Sequence, residues 1–370
     1  MQQLTTRAQP KSSLERLSTL VVQALISLFV PVLTFLVLYA GFRFLRESDA
    51  PKGVIALVAI IWGVGGVALL YLVSNWFIER MGDIWRARLQ PFVFVGPAVA
   101  ILAWYLALPT VRTLWVSLFD RNGVAFVGLS NYLAVFTNRD MFTAFRNNLM
   151  WIVIGATFCV VFGLLIATLA DRSRFENFAK AMIFLPMAIS MVGAGVIWNM
   201  IYDVNPNIGL LNAVVGGLTG AKPIAWTAAA NLQPWNNLFL ILIVIWLQTG
   251  YAMVLFSAAL KGIPAEILEA ARVDGATEIQ VFLRIMIPSI MGTIISVGTT
   301  VIIFTLKIFD VVQVMTGGQF STQVIATEFY RQSFTAQNAG YGSAIAIVLL
   351  IAVVPVMVYN LRQFSQREVF

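Results

Sequence analysis

The chain has 370 residues, 59% of them hydrophobic and only 11% charged, and its mean hydropathy is +0.85. A soluble domain carries about 25% charged residues, so this composition excludes an ordinary soluble fold and makes the bilayer the solvent. The formal charge of +7 fits the positive-inside bias of membrane loops better than nucleic-acid binding, and one cysteine with no histidine removes intrachain disulfides, cysteine metal sites and the commonest general base.

Residues 1–16 are polar and basic, and the apolar run after them is too long for a signal-peptide core. The pattern predicts a cytoplasmic tail leading into a retained span. Apolar runs of about 20 residues predict spans near 20–42, 54–77, 92–111, 149–170, 181–202, 238–260, 290–311 and 342–359. A charged amphipathic link over 79–90, with Arg80, Arg86 and Arg88, follows the second span. The chain therefore reads as a tail, two additional spans and a linker (1–89), then a six-helix core (90–370). Polar stretches at 120–147 and 203–237 interrupt that core. Eight crossings place both termini on one side. With that side cytoplasmic, 14 of the 24 Lys and Arg lie inside, in short links that carry the most weight in the rule.

Residues 261–288 then form a charged cytoplasmic interruption between spans six and seven. Pro264 stands where a helix can begin without losing a hydrogen bond, and Glu266 complements the positive end of its dipole. Gly275 is a natural left-handed stop. Thr277 and Gln280 have the spacing of a capping box for a second helix. Ile279, Phe282, Leu283 and Met286 fall on one packing stripe, and Pro288 ends that helix. Periodicity alone equally allows an amphipathic helix resting at the membrane surface.

The motif goes further. Glu269, Ala270, Ala271, Asp274, Gly275, Ile285 and Pro288 stand in register with the "EAA loop" of binding-protein-dependent ABC importer permeases, with Ile287 in place of the usual Leu. Residues 126–132 and 145–148, Thr316-Gly317-Gly318-Gln319 and 340–344 resemble further stretches of carbohydrate permeases, over about 90–370. The likeness is nearest to the maltose-type larger permease subunit and, through 320–326, to α-glucoside permeases. The resemblance implies an all-α polytopic membrane protein with eight transmembrane helices, a type I ABC importer permease fold and cytoplasmic coupling helices. It implies a bacterial inner-membrane location and a non-catalytic role as half of a pore. A second permease subunit, a dimer of ATP-binding subunits and an extracytoplasmic sugar-binding protein are the implied partners, with sugar as substrate and lipid as surroundings. No cofactor is implied in this chain; ATP and magnesium belong to the ATPase partner.

Sugar recognition needs hydrogen-bonding groups and aromatic faces within an apolar pore. Gln248 and Tyr251 lie one turn apart in span six, and Phe304 and Thr305 lie in span seven. All four fall at positions that resemble the sugar-lining ones of maltose-type permeases. Trp198, Asn199 and Tyr202 form a further candidate set at the end of span five. Buried amides and hydroxyls also serve simply as bonds between spans. Lys307 and Asp310, at i and i+3, read as an interfacial ion pair or a gate.

Two other classes compete. An ion-coupled secondary transporter needs charges deep in its spans, yet spans four, five and six have none. A membrane enzyme needs a catalytic constellation, and none stands out. The chain has no Gly-x-x-x-x-Gly-Lys-Ser/Thr loop, so any ATP that drives it is bound by another subunit.

Overall fold

The computed structural model describes residues 13–81, 83–229 and 233–367, with side chains from Phe29 to Arg362 outside the same gaps. The basic tail before residue 13 lies outside the described residues. Contacts divide the chain into two compact units, Met1–Pro109 and Thr110–Phe370.

In the first unit, α1 (Ser13–Glu47) pairs with α2 (Lys52–Glu79). Their lipid-length apolar sequence leaves most side chains facing outward, as expected where hydrocarbon replaces water. The indole of Trp62 donates to the Leu38 carbonyl at 3.0 Å and fixes the pair. The separate linker expected at 79–90 is instead a short break. α2 stops at Glu79, the Arg80 guanidinium stacks 3.5 Å over the Trp76 ring, and α3 (Asp83–Val116) begins almost at once. At 1.5 Å per residue its 34 residues reach about 50 Å, well beyond a hydrocarbon core of about 30 Å. The charged start around Asp83, Arg86 and Arg88 thus projects beyond the apolar part of the same helix.

The second unit holds α4 (Ser130–Thr137), α5 (Arg139–Asp171), the pair α6 (Glu176–Ala188) and α7 (Met191–Ile201), and α8 (Leu210–Thr219). α9 (Trp235–Lys261) is its central and most buried span. α10 (Ala265–Val273) and α11 (Glu278–Ser289) follow, then α12 (Met291–Leu306), α13 (Asp310–Met315), α14 (Ile325–Tyr330) and α15 (Ala339–Arg367). Among the described residues, six helices are long and apolar enough to cross a membrane, and the total is eight if each of two bent helix pairs counts as one span.

Two of the predicted spans are bent. Span five turns by 101° between α6 and α7. Pro186 removes a donor inside a tight turn at Leu185–Ala188, and Ser190 caps the new helix by accepting from the Gly193 N–H at 3.0 Å. α9 makes room for the turn at Gly250, where a Cβ would come within 2.6 Å of the Ile183 carbonyl oxygen. Span seven bends by 69° between α11 and α12, and its helix stops at Leu306. Lys307 is a C-cap and Asp310 starts another helix, so the two do not share a helix face as their spacing suggested.

The packed core joins α5, α9 and α12 through Trp151, Ile241, Val244, Met253, Phe256, Val297 and Val301. Around it the freed backbone is bonded by buried amides. Asn147 Nδ2 donates to the carbonyls of Ser321 and Gln323, both at 2.8 Å. Asn148 donates to the Leu306 carbonyl at 3.2 Å and accepts from the Ile325 N–H at 2.8 Å. From α9, Asn236 donates to the Phe320 carbonyl at 2.8 Å. The 126–132 and 340–344 motifs also meet. Asn131 bonds the carbonyls of Ser117 and Phe119, and a Cβ on Gly340 would overlap the Phe119 carbonyl.

Each group orphaned by losing a buried amide costs about 1–3 kcal/mol. Asn148→Ala orphans two backbone groups, whereas Asn138→Ala removes one surface cap. We expect thermal unfolding of the purified protein to show a clearly larger fall in Tm for Asn148→Ala. Equal shifts would contradict the anchoring role.

Candidate functional site: the coupling segment and the span interior

The charged interruption is ordered throughout. α10 starts after Pro264, which is the N-cap rather than the first helical residue, and carries Glu266 in its first turn and Arg272 in its last. It ends in two nested bonds. The Gly275 N–H bonds the Arg272 carbonyl and the Ala276 N–H bonds the Ala271 carbonyl, both at 3.0 Å. That is a Schellman closure, and it requires Gly275 at φ +83°, a region other residues rarely adopt. The expected capping box is present. Gln280 Oε1 accepts from the Thr277 N–H at 2.8 Å, and Thr277 Oγ1 accepts from the Gln280 N–H at 3.4 Å.

One acidic side chain ties this turn to its surroundings. Glu278 accepts from Arg272 at 2.8 Å and from Arg172, just past the end of α5, at 2.9 Å. A second cluster lies beside it. Lys180 of α6 pairs with Asp171 and Glu176, Ser257 of α9 donates to Asp171 at 2.7 Å, and Lys261 pairs with Glu176. The ends of α5, α6, α9 and α10 are therefore cross-linked by charge. Exposed pairs contribute little stability singly, but a connected set fixes relative position.

The predicted stripe on α11 is split by the fold. Phe282 and Met286 pack on the core, whereas Ile279 and Leu283 are 71% and 54% exposed. Val281, outside the predicted stripe, is buried, and Phe282–Met286 forms a π-helical turn that shifts the register on which the stripe was counted. Glu269, Ala270, Asp274, Gly275 and Pro288 are exposed, while Ala271 and Ile285 are half-buried. With Val273 at 87% exposure, the segment presents an apolar, small-residue surface. Beneath it a cavity of about 310 Å³ opens between Ile263, Pro264, Ile267 and the bend at Ile290.

The substrate candidates fall at different depths. Gln248 is the midpoint of α9, and Tyr251 is one turn further; both are half-buried. Phe304 is half-buried in the last turn of α12, which packs on α9. Thr305 is fully buried, with its hydroxyl donated to the Ile302 carbonyl at 3.0 Å. Gly155 faces both the Thr305 methyl and Ile241, so Thr305 is level with Ile241. Gln248 is therefore about 10 Å away along α9, and Tyr251 about 15 Å. Of the span-five set, Trp198 and Tyr202 belong to a packed aromatic ladder, whereas Asn199 is exposed and donates to the Val314 carbonyl at 3.5 Å. Trp198 meets Trp246 and Tyr202, and the Tyr202 hydroxyl donates to the Phe239 carbonyl at 3.1 Å.

The sequence marked a turn at Thr316–Gln319 but not the long-range anchoring of the loop 316–323 that contains it. Thr316 and Thr322 hydroxyls bond each other at 2.6 Å across it, and Gly317, Gly318, Phe320 and Ser321 all have positive φ. Its Thr-Gly-Gly sequence signalled a turn; the asparagine anchors gave no local signal. Nearby, Arg331 donates to Asp140 at 2.7 Å and to Glu328 at 2.8 Å, and burial pushes the Glu328 carboxyl upward against the pull of Arg331.

The described residues thus form a bundle of membrane-length helices that carries an exposed, capped helix pair between two of its spans. The chain belongs to the binding-protein-dependent transport system inner membrane component family, whose description matches residues 159–368. It is 49% identical over 280 residues to the osmoprotective compounds uptake permease protein GgtC of Synechocystis sp., covering 75% of this chain and 99% of the relative. Over 330 residues it is 43% identical to the alpha-glucoside transport system permease protein AglF of Rhizobium meliloti, covering 85% and 95%. A chain of a bacterial alginate ABC transporter shares the fold with a TM-score of 0.65 and 18% identity, covering 75% of this chain and 96% of that one.

A Cβ at residue 275 meets nothing within 4 Å, so substitution there acts through backbone strain, about 1–2 kcal/mol in the left-handed region. Gly275→Val is expected to lower amide-exchange protection across 265–281 about tenfold, with little change in the spans. Unchanged protection would contradict the closure described.

Proposed function

We propose that this chain is the permease half of an ATP-driven sugar importer that takes up α-glucosides or related oligosaccharides. The observation that carries the reading is the 43% identity to an α-glucoside permease along 85% of the chain. A second permease subunit would complete the pore, and an extracytoplasmic binding protein would deliver the sugar. A pair of ATP-binding subunits would supply ATP and magnesium chemistry, consistent with the missing phosphate loop in this chain.

Both termini are assigned to the cytoplasm. Eight crossings and the Lys and Arg balance support that orientation. The exposed Glu269, Ala270, Asp274, Gly275 and Pro288, with half-buried Ala271 and Ile285 beside them, then meet the ATPase. Small alanines allow close approach, and the Arg172–Glu278–Arg272 contacts carry its displacement to the end of α5. In the pore, Gln248 and Tyr251 offer an amide and an aromatic phenol at mid-span, with Phe304 further out. Their spread along α9 suits a glycan moving lengthwise. Thr305 supports this wall from behind through packing on Gly155.

The name of the 49% identical relative favours a second reading, in which the cargo is a small osmoprotective compound. The reconstituted importer distinguishes them when offered a panel of α-glucosides against a zwitterionic osmolyte. We expect α-glucosides to stimulate ATP hydrolysis; stimulation by the osmolyte alone would transfer the assignment. In the same assay Glu269→Lys and Gly275→Pro should lose stimulated hydrolysis and co-purification with the ATPase. Unchanged coupling in both variants would remove the docking role. Tyr251→Ala should depress uptake about tenfold, as for the loss of roughly 1.4 kcal/mol; undiminished uptake would count against that position.

A further inference from the structure

At the end of the Thr110–Phe370 unit away from the coupling segment lies a polar cavity of about 660 Å³. This is inside the roughly 300–1,000 Å³ range of small-molecule sites. It is bounded by the loop 316–323, by α13 and α14, and by Asp140 at the start of α5. Gln313 and Gln323 supply amides to its wall, and Tyr330 supplies an aromatic ring. That ring is braced by Phe309 and Phe334 at centroid distances of 5.3 and 5.1 Å. Glu328 also lines the cavity and is only 3% exposed.

Two features set this cavity apart from a gap between loops. The first is charge. Arg331 is shared between Asp140 and Glu328, so two carboxylates face one guanidinium and oxygen acceptors are in surplus. The second is preorganisation. Phe320 and Ser321 are held at φ of 56° and 59°, a conformation that costs a non-glycine residue about 1–2 kcal/mol. They stay there because buried Asn147 and Asn236 hold their carbonyls. Strained backbone overdetermined by its surroundings clusters at ligand sites. Neither feature serves the coupling segment, and Gln248 lies about 18 Å along α9 from Asn236, which anchors the loop.

We propose that this cavity is a second carbohydrate subsite, which holds one neutral glycosyl unit before it descends to the level of Gln248 and Tyr251. Sugar hydroxyls donate to the carboxylate and amide oxygens and accept from the amide N–H groups, while a sugar face stacks on Tyr330. The surplus of acceptors over cations discriminates against sugar acids. The assignment rests on the sugar-import reading above.

The test uses the complete importer with its binding protein in proteoliposomes, comparing Gln313→Trp, which fills the cavity, with Tyr330→Ala and Tyr330→Phe. For a neutral α-glucoside, the first two should raise KM about tenfold, with kcat and unstimulated ATP hydrolysis within about twofold; Tyr330→Phe, which keeps the ring, should restore KM. Unaltered KM in both cavity variants overturns the subsite. Loss of binding-protein capture by those variants also overturns it, by assigning the cavity to a segment of that protein. Saturation-transfer NMR on the permease–ATPase complex without binding protein separates the two levels of the claim. A wild-type importer that transports no sugar defeats the import reading. The subsite is judged by the NMR signal of methyl α-glucoside in a Tyr251→Ala background, which removes the deeper contact; it should vanish on adding Gln313→Trp and be absent for a uronic acid. No signal from the neutral glucoside in wild type defeats the subsite.

Discussion

An unpaired backbone N–H or carbonyl inside a bilayer costs several kcal/mol because no water is present to satisfy it. This chain interrupts its helices repeatedly within the Thr110–Phe370 unit, and the fold depends on closing each interruption with a specific side chain. Ser190 closes the break in span five. Thr277 and Gln280 close the start of α11, and Gly275 allows the end of α10 to close on itself. Asn147, Asn148 and Asn236 close the long irregular path from Leu306 to Ile325. Each break then becomes a rigid corner, and rigid corners can transmit force or hold a ligand.

The two ends of the unit use this in different ways. At one end the corner is exposed, mixed in charge and fringed by Val273, Ile279 and Leu283. It is tied through Glu278 and the Lys180 cluster to the ends of three spans, so a push on α10 reaches α5, α6 and α9 together. At the other end the corner is recessed, amide-rich and anchored by Asn147 and Asn148 in the third turn of the same α5 and by Asn236 in the first turn of α9. Those two helices run between the ends and pack closely on each other. Under the proposed coupling role, they are the elements that physically join the 261–288 segment to the 316–323 loop.

How much of this could be read beforehand depended on sequence distance. The coupling segment was legible because its caps are local. A threonine and a glutamine three residues apart, or a glycine at a helix end, declare their bonds in the sequence. Eight apolar stretches were legible as crossings, since burial in lipid acts on average hydropathy. The 101° turn in span five was not, because a window of about 20 residues averages over the few residues near Pro186 and Ser190 that make it. Asn147 and Asn236 were visible as polar residues beside spans, but their carbonyl partners lie 174 and 84 residues away. Thr305 shows the same limit from the other side. Its hydroxyl suggested a pore contact, and only the fold reveals that Ile302 already accepts its proton.

The central claim is that the Glu269–Gly275 surface is a cytoplasmic docking plug. Its most direct test is a single cysteine at the exposed Ala270 position in a background where the buried Cys159 is replaced by alanine. Labelling with a membrane-impermeant maleimide in oriented vesicles reports both side and contact. The account predicts modification only from the cytoplasmic face, and strong protection when the ATP-binding subunits are assembled. Modification from the outer face, or equal labelling with and without those subunits, would contradict it.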